Sequence, residues 1–192
     1  MTRPQPFLAF QRGTSLLEVL VTIVILAIGL LGLAGLQTRL QTSEIEAYQR
    51  SQALILLNDM ASRIATNRAN AASYVTASPL GVGMTCSGAA STQEVDAKEW
   101  CEALQGAGET LDGNSVGAMV GGRGCVEKIA GTAGEAVGEY RITVAWQGLA
   151  PISAPPANIT CGQTLYNGGT VCANDLCRRT VTTVVRIGDL AS

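Results

Sequence analysis

The sequence predicts an α+β chain: one long N-terminal helix packed on a small antiparallel β-sheet and stapled by disulfides. Three observations carry this. No proline interrupts the chain between Pro6 and Pro79, two late segments alternate apolar with polar residues, and all six cysteines fall from Cys86 onward.

The helix serves two environments. Leu16 to Leu36 is almost wholly apolar, broken only by Glu18, Thr22 and the glycines at 29, 32 and 35. A run of ~20 apolar residues is long enough to cross the hydrocarbon core of a bilayer. Arg3 and Arg12 precede it with no acidic residue between them. A basic flank stays cytoplasmic, so everything after Leu36 is expected outside the inner membrane. From Gln37 to about Arg68 the composition turns polar, yet Leu40, Ala53, Leu56, Leu57, Met60 and Ile64 recur at spacings of three and four. That is the pattern of a one-sided helix. One continuous helix is therefore expected from about Thr14 to about Arg68. Its first half suits lipid or a helical bundle, and its second half needs the C-terminal domain as a partner surface.

After Asn70 the texture changes to Gly, Ser, Ala and Thr, with turn signals at Pro79-Leu80-Gly81, Asp112-Gly113-Asn114 and Asn167-Gly168-Gly169. Loops are expected from Ala71 to Gly122, interrupted by a short helical turn from Asp96 to Leu104, where Trp100 and Leu104 fall four apart. Tyr140, Ile142, Val144 and Trp146 alternate with Arg141 and Thr143, and Val181, Thr183, Val185 and Ile187 alternate with Thr180, Thr182 and Arg186. Both segments read as strands. Gly124 to Ile129 reads as a third, joined to Tyr140 through a turn over Gly131 to Gly138 in an antiparallel pair. The expected organisation is residues 1–13, 14–36 and 37–69, followed by a globular domain over 70–192.

Composition excludes several functions. A formal charge of -2 and a thin scatter of basic residues provide no footprint for a nucleic-acid backbone. Histidine is absent, which removes the commonest general base and the usual zinc ligand. With no nucleophile motif or carboxylate constellation either, the chain is not read as an enzyme, and no cofactor is expected. Gly121-Gly122-Arg123-Gly124 lacks the lysine followed by serine or threonine of a phosphate loop and reads as a turn. Arg178 and Arg179 could grip an acidic partner, but an exposed pair flanking the last strand is more often solvated, and that is the expectation.

Cys86, Cys101, Cys125, Cys161, Cys172 and Cys177 contain no Cys-x-x-Cys spacing, so disulfides are expected instead of a metal site. Export would place them in an oxidising compartment. Six cysteines permit fifteen pairings, and sequence does not choose among them. Cys86 with Cys101 would close a loop after the helix and leave two bridges among the other four.

The junction ahead of the apolar run reads Arg12-Gly13-Thr14-Ser15-Leu16-Leu17-Glu18. A secretory signal would be cut after its apolar stretch; here the glycine precedes it. Gly13 offers no side chain to obstruct a peptidase, and a cut there leaves the apolar segment on the mature chain. Glu18 is a carboxylate inside an apolar helix, which costs a few kcal/mol unless it is partnered. A cut after Gly13 would create a cationic amine on Thr14, one turn away, to meet Glu18 in its own or a neighbouring subunit.

These residues and the apolar helix behind them resemble the class III signal of type IV pilins and pseudopilins. The resemblance implies cleavage between Gly13 and Thr14 by a prepilin peptidase, N-methylation of Thr14, and docking into the filament guided by Glu18. The family usually begins its mature chain with phenylalanine or methionine, and Thr14 departs from that. Val24 to Gln37 resembles more particularly the PilV-type minor pilins, known as type IV pilus modification proteins. That implies an assembly subunit, first in the inner membrane among lipid and then in the pilus. Its implied partners are the other minor pilins, the major pilin, the pilus-tip complex and the inner-membrane assembly platform. A minor pseudopilin of a type II secretion or competence system, and more remotely a membrane-tethered periplasmic binding protein or enzyme, are the alternatives.

Overall fold

The computed structural model describes residues 15–108, 110–112, 114–115, 119–130 and 138–188. The chain divides into two compact units, Met1–Ser43 and Glu44–Ser192, and helix α1, Leu16–Thr66, contributes residues to both. The expected helix from about Thr14 to about Arg68 is thus observed within two residues at each end.

In the first unit α1 opens with the amides of Glu18 and Val19 donating to the Ser15 carbonyl, at 2.9 and 3.2 Å. The large apolar side chains of this stretch are exposed, from Leu16 to Leu40. Thr22 donates its hydroxyl back to the Val19 carbonyl at 2.8 Å, so this polar group needs no outside partner. Leu40 was expected on the apolar stripe facing the C-terminal domain. It lies in the first unit instead and is exposed.

The second unit holds the core. Its main sheet has four strands in the order β1-β4-β5-β6, all neighbours antiparallel: β1 (Leu80–Gly81), β4 (Arg123–Ala130), β5 (Gly138–Gln147) and β6 (Arg178–Ile187). The short strands β2 (Thr110–Leu111) and β3 (Asn114–Ser115) form a separate ribbon. All three strands expected from sequence are present, and β4 and β5 pair as expected. Residues 131–137, where their connecting turn was placed, lie outside the described residues.

One face of the sheet packs on helices. Val126 of β4 and Tyr140, Ile142, Val144 and Trp146 of β5 meet Ala53, Leu57, Met60 and Ile64 of α1 in a single buried cluster. Each large side chain buried this way contributes about 1.5–3 kcal/mol. The short helical turn expected near Trp100 is a 13-residue helix, α2, Thr92–Leu104. It starts earlier because Ser91 caps it, accepting from the Glu94 amide at 3.2 Å, while the Glu94 carboxylate accepts from the Ala90 amide at 2.8 Å. Trp100 projects from α2 into the core, fully buried, and its indole N–H donates to the Leu56 carbonyl of α1 at 2.9 Å. The opposite sheet face is covered by the segment between β5 and β6. There Cys161 and Tyr166 pack on Cys125 and Ala145.

A charged cluster joins the end of α1 to α2. Arg63 donates to Asp59 at 3.0 Å, and to Asp96 and Glu99 at 2.7 Å each. Burial opposes its charge, but the bonds to Glu99 and Asp96 with the charge of Asp59 prevail, holding the guanidinium above its ordinary range. Tyr74, in the 3₁₀ turn Arg68–Tyr74 that follows α1, donates a short hydrogen bond to Asp96 and accepts from Asn67 at 3.0 Å. Burial, helped by the bond to Asp96, pushes its phenol up to about 12.

Candidate processing and assembly site

Glu18 stands in the first turn of α1, where a carboxylate faces the positive end of the helix dipole. It is exposed, and Leu16, Leu17, Val19, Leu20 and Val21 beside it are exposed as well. The result is a lone acid ringed by bare apolar surface. In water such surface is unfavourable at about 25 cal/mol per Å²; in lipid or against another helix it is satisfied, and the carboxylate alone then requires a partner. Among the described residues α1 is the one helix long and apolar enough to cross a membrane, by length and composition. Gly13 and Thr14, the expected cleavage pair, lie outside the described residues.

Further along the same segment, a Cβ added at Gly29, Gly32 or Gly35 would meet nothing within 4 Å. These glycines answer no steric demand of the folded chain itself. They present flat backbone to whatever packs there, as small residues do between membrane helices.

Comparison with known families places one match on this region. The family described as the prokaryotic N-terminal methylation motif matches residues 8–34. That stretch contains Gly13, Thr14, Glu18 and the start of α1. The match supports a type IV pilin-like or pseudopilin chain. Such a leader implies processing by prepilin peptidase, membrane anchoring through the apolar helix and assembly with other pilins. Comparison with curated proteins and with solved structures returned no match.

The cysteines are all paired: Cys86 with Cys101, Cys125 with Cys161, and Cys172 with Cys177. Cys86–Cys101 ties the loop after α1 to α2, the closure singled out from sequence. Cys125–Cys161 fastens the covering segment to β4. Among the described residues no cluster of three or more candidate metal-binding side chains occurs.

Arg178 and Arg179 correct the sequence reading, because neither is a solvated surface cation. Arg178 is 2% exposed and donates to the carbonyls of Ile159 at 2.7 Å and Cys161 at 3.0 Å. Its other terminal nitrogen lies 3.4 Å from the carboxylate of buried Asp175, which also accepts from the Thr164 amide at 2.8 Å. The guanidinium thus anchors the segment covering the sheet. Arg179 points to the opposite face, where it donates to the Ala150 carbonyl at 2.6 Å and lies 3.4 Å from Glu46 of α1. The strand period carried the missed signal. Arg179 has the parity of Val181, Thr183 and Val185, the apolar face, and a cation there requires a carboxylate from the helix.

Proposed function

We propose that this chain is a minor pilin, a structural and assembly subunit that helps prime or cap a type IV pilus. It is made with a leader over residues 1–13, is cleaved between Gly13 and Thr14 by prepilin peptidase, and carries a methylated amine on Thr14. The single observation that carries the reading is the methylation-motif match over residues 8–34, set on an exposed apolar helix with one carboxylate near its start. Before assembly the helix lies in the inner membrane with the second unit in the periplasm. On assembly it leaves lipid for the helical core of the pilus, alongside other minor pilins, the major pilin and the tip complex. The new Thr14 amine neutralises Glu18 of its own or an adjacent subunit, which removes the cost of an unpaired carboxylate among apolar helices. No catalysis is assigned to it.

The test uses two substitutions in cells that make prepilin peptidase. Gly13→Ala is expected to block cleavage and leave a larger species on a gel; unchanged mobility would sink the pilin reading. Glu18→Val is expected to be cleaved normally yet to lower the number of surface pili. Full piliation and twitching in that variant would remove the assembly role given to Glu18.

A further inference from the structure

Strand β6 pairs with β5 at every position from Arg178 to Ile187 without a register shift, and among the described residues no strand lies on its other side. Antiparallel ladders bond alternate residues, so parity decides which backbone groups remain. The Gly148 amide donates to the Cys177 carbonyl at 2.7 Å, one step beyond the Gln147–Arg178 pair. Odd-numbered residues of β6 therefore bond to β5, whereas Arg178, Thr180, Thr182, Val184 and Arg186 turn their amides and carbonyls outward. The residues flanking β6 agree: the Leu176 carbonyl accepts from the Ile152 amide and the Gly188 carbonyl from Arg68 Nη2, both at 2.8 Å. Between them, among the described residues, no backbone–backbone hydrogen bond reaches the outward groups from Thr180 to Arg186.

The opposite edge of the sheet is filled. On β4 the Val126 carbonyl accepts from the Thr76 amide at 3.0 Å, the Val126 amide donates to the Thr76 hydroxyl at 3.1 Å, and β1 pairs with Arg123 and Gly124. Edge strands that stay unpaired are usually short or bulged, or carry proline or outward charge. β6 is ten residues long and has no bulge, proline or glycine. Its arginines are drawn back into the chain, Arg178 to Asp175, Arg179 to Glu46, and Arg186 to Glu139 of β5 at 2.6 Å. The core also stops short there. Tyr140, Ile142 and Val144 of β5 are 0% exposed, whereas Val181, Val185 and Ile187 are only partly buried against the same cluster.

We propose that the outer edge of β6, from Thr180 to Arg186, takes an extended segment of a different polypeptide as a fifth strand of the sheet. The outward amides and carbonyls supply main-chain hydrogen bonds, and alternate side chains of the segment supply specificity. The row beside Val181 and Val185 calls for β-branched or other apolar residues, which complete the unfinished core. The segment carries no net positive charge, because β6 holds arginines and no acid. A second copy does not fit. Antiparallel pairing of two β6 edges places a two-fold axis across the sheet, which reverses the direction of α1 in one copy against the other; chains anchored in one membrane through the same end of that helix cannot adopt it. The other edge of a second copy is already filled from Arg123 to Val126. That exclusion rests on the membrane anchoring stated above.

The experiment follows amide hydrogen exchange by NMR in the full chain in detergent, with and without a synthetic peptide of alternating threonine and valine ending in glutamates. In the free chain the amides of Thr180, Thr182, Val184 and Arg186 are expected to exchange about tenfold or more faster than those of Val181, Thr183 and Val185. Saturating peptide is expected to slow the outward set about tenfold or more, and the same peptide N-methylated at alternate backbone amides is expected to leave it unchanged. Val184→Pro removes an outward donor and no bond to β5, a position where an edge strand accepts proline. It is expected to keep the protection of Val181 and Thr183 and to weaken peptide binding about tenfold or more. Outward amides already protected in the free chain, no slowing by the peptide, or equal binding by Val184→Pro would each overturn the proposal. A concentration-dependent dimer in analytical ultracentrifugation that Val184→Pro abolishes would overturn the choice of partner. None of these readouts depends on cleavage after Gly13, so their failure leaves the processing reading to its own gel-mobility test.

Discussion

Gly124→Ala tests the packing that holds α1, α2 and the sheet together. Gly124 is in the middle of the sheet, opposite Val144 of β5 and Leu80 of β1. A Cβ there would lie 2.2, 2.6 and 2.7 Å from Cη2, Cζ3 and Cζ2 of Trp100. Ordinary contact begins near 3.4 Å, so the indole must retreat by about 1 Å within a close-packed interior. Trp100 is fully buried and held by its N–H bond to the Leu56 carbonyl. Overpacking of this kind costs about 1–3 kcal/mol, and stretching the indole bond until its donor is unpaired adds about 1–3 kcal/mol. A total of roughly 2–6 kcal/mol corresponds to a loss of about 1–3 M in urea midpoint at an m-value near 2 kcal/mol/M. The assay is urea unfolding of the full chain in detergent, followed by tryptophan fluorescence and near-ultraviolet circular dichroism. Trp100→Phe, which removes the six-membered ring of the indole, should make the double variant more stable than the sum of the two single losses predicts. A midpoint within about 0.3 M of the parent, or additive losses in the double variant, would refute the steric reasoning.

Two further outcomes follow from the second unit. Tyr74 has its pKa raised from 10.0 to about 12 on folding, so its contribution is fully present below pH 10 and is lost as pH rises through about 12; Tyr74→Phe should flatten that decline in the unfolding midpoint, and an identical slope in the variant would show that this phenol is not its source. Removing Cys125–Cys161 by double serine substitution should cost about 2 kcal/mol more than removing Cys172–Cys177, because the closed loops differ in separation, 36 against 5; equal losses in denaturant unfolding would mean that unfolded-chain entropy does not govern these bridges.

Legibility in the sequence followed the range of the interaction. The helix over Leu16–Thr66 and the strands at Arg123–Ala130, Gly138–Gln147 and Arg178–Ile187 were readable because a helix repeats every 3.6 residues and a strand every two, both within a few neighbours. The start of α2 was readable too, in Ser91-Thr92-Gln93-Glu94, a capping-box spacing that the helical turn placed at Asp96 overlooked. The Gly13–Thr14 junction and Glu18 belong to the same class of signal, since they are set by their position relative to one apolar run.

What the sequence by itself determined was the chain's local periodicity, its apolar segment and the motif at its head. The tertiary structure decided the rest. It paired Cys125 with Cys161 across 36 positions, set Trp100 against Gly124, and buried Arg178 beside Asp175 while turning Arg179 toward Glu46. Each of these depends on which surfaces meet after the chain has closed on itself. A cysteine, a glycine or an arginine carries no local mark of a partner tens of residues away, because that partner is set by the packing of the whole core.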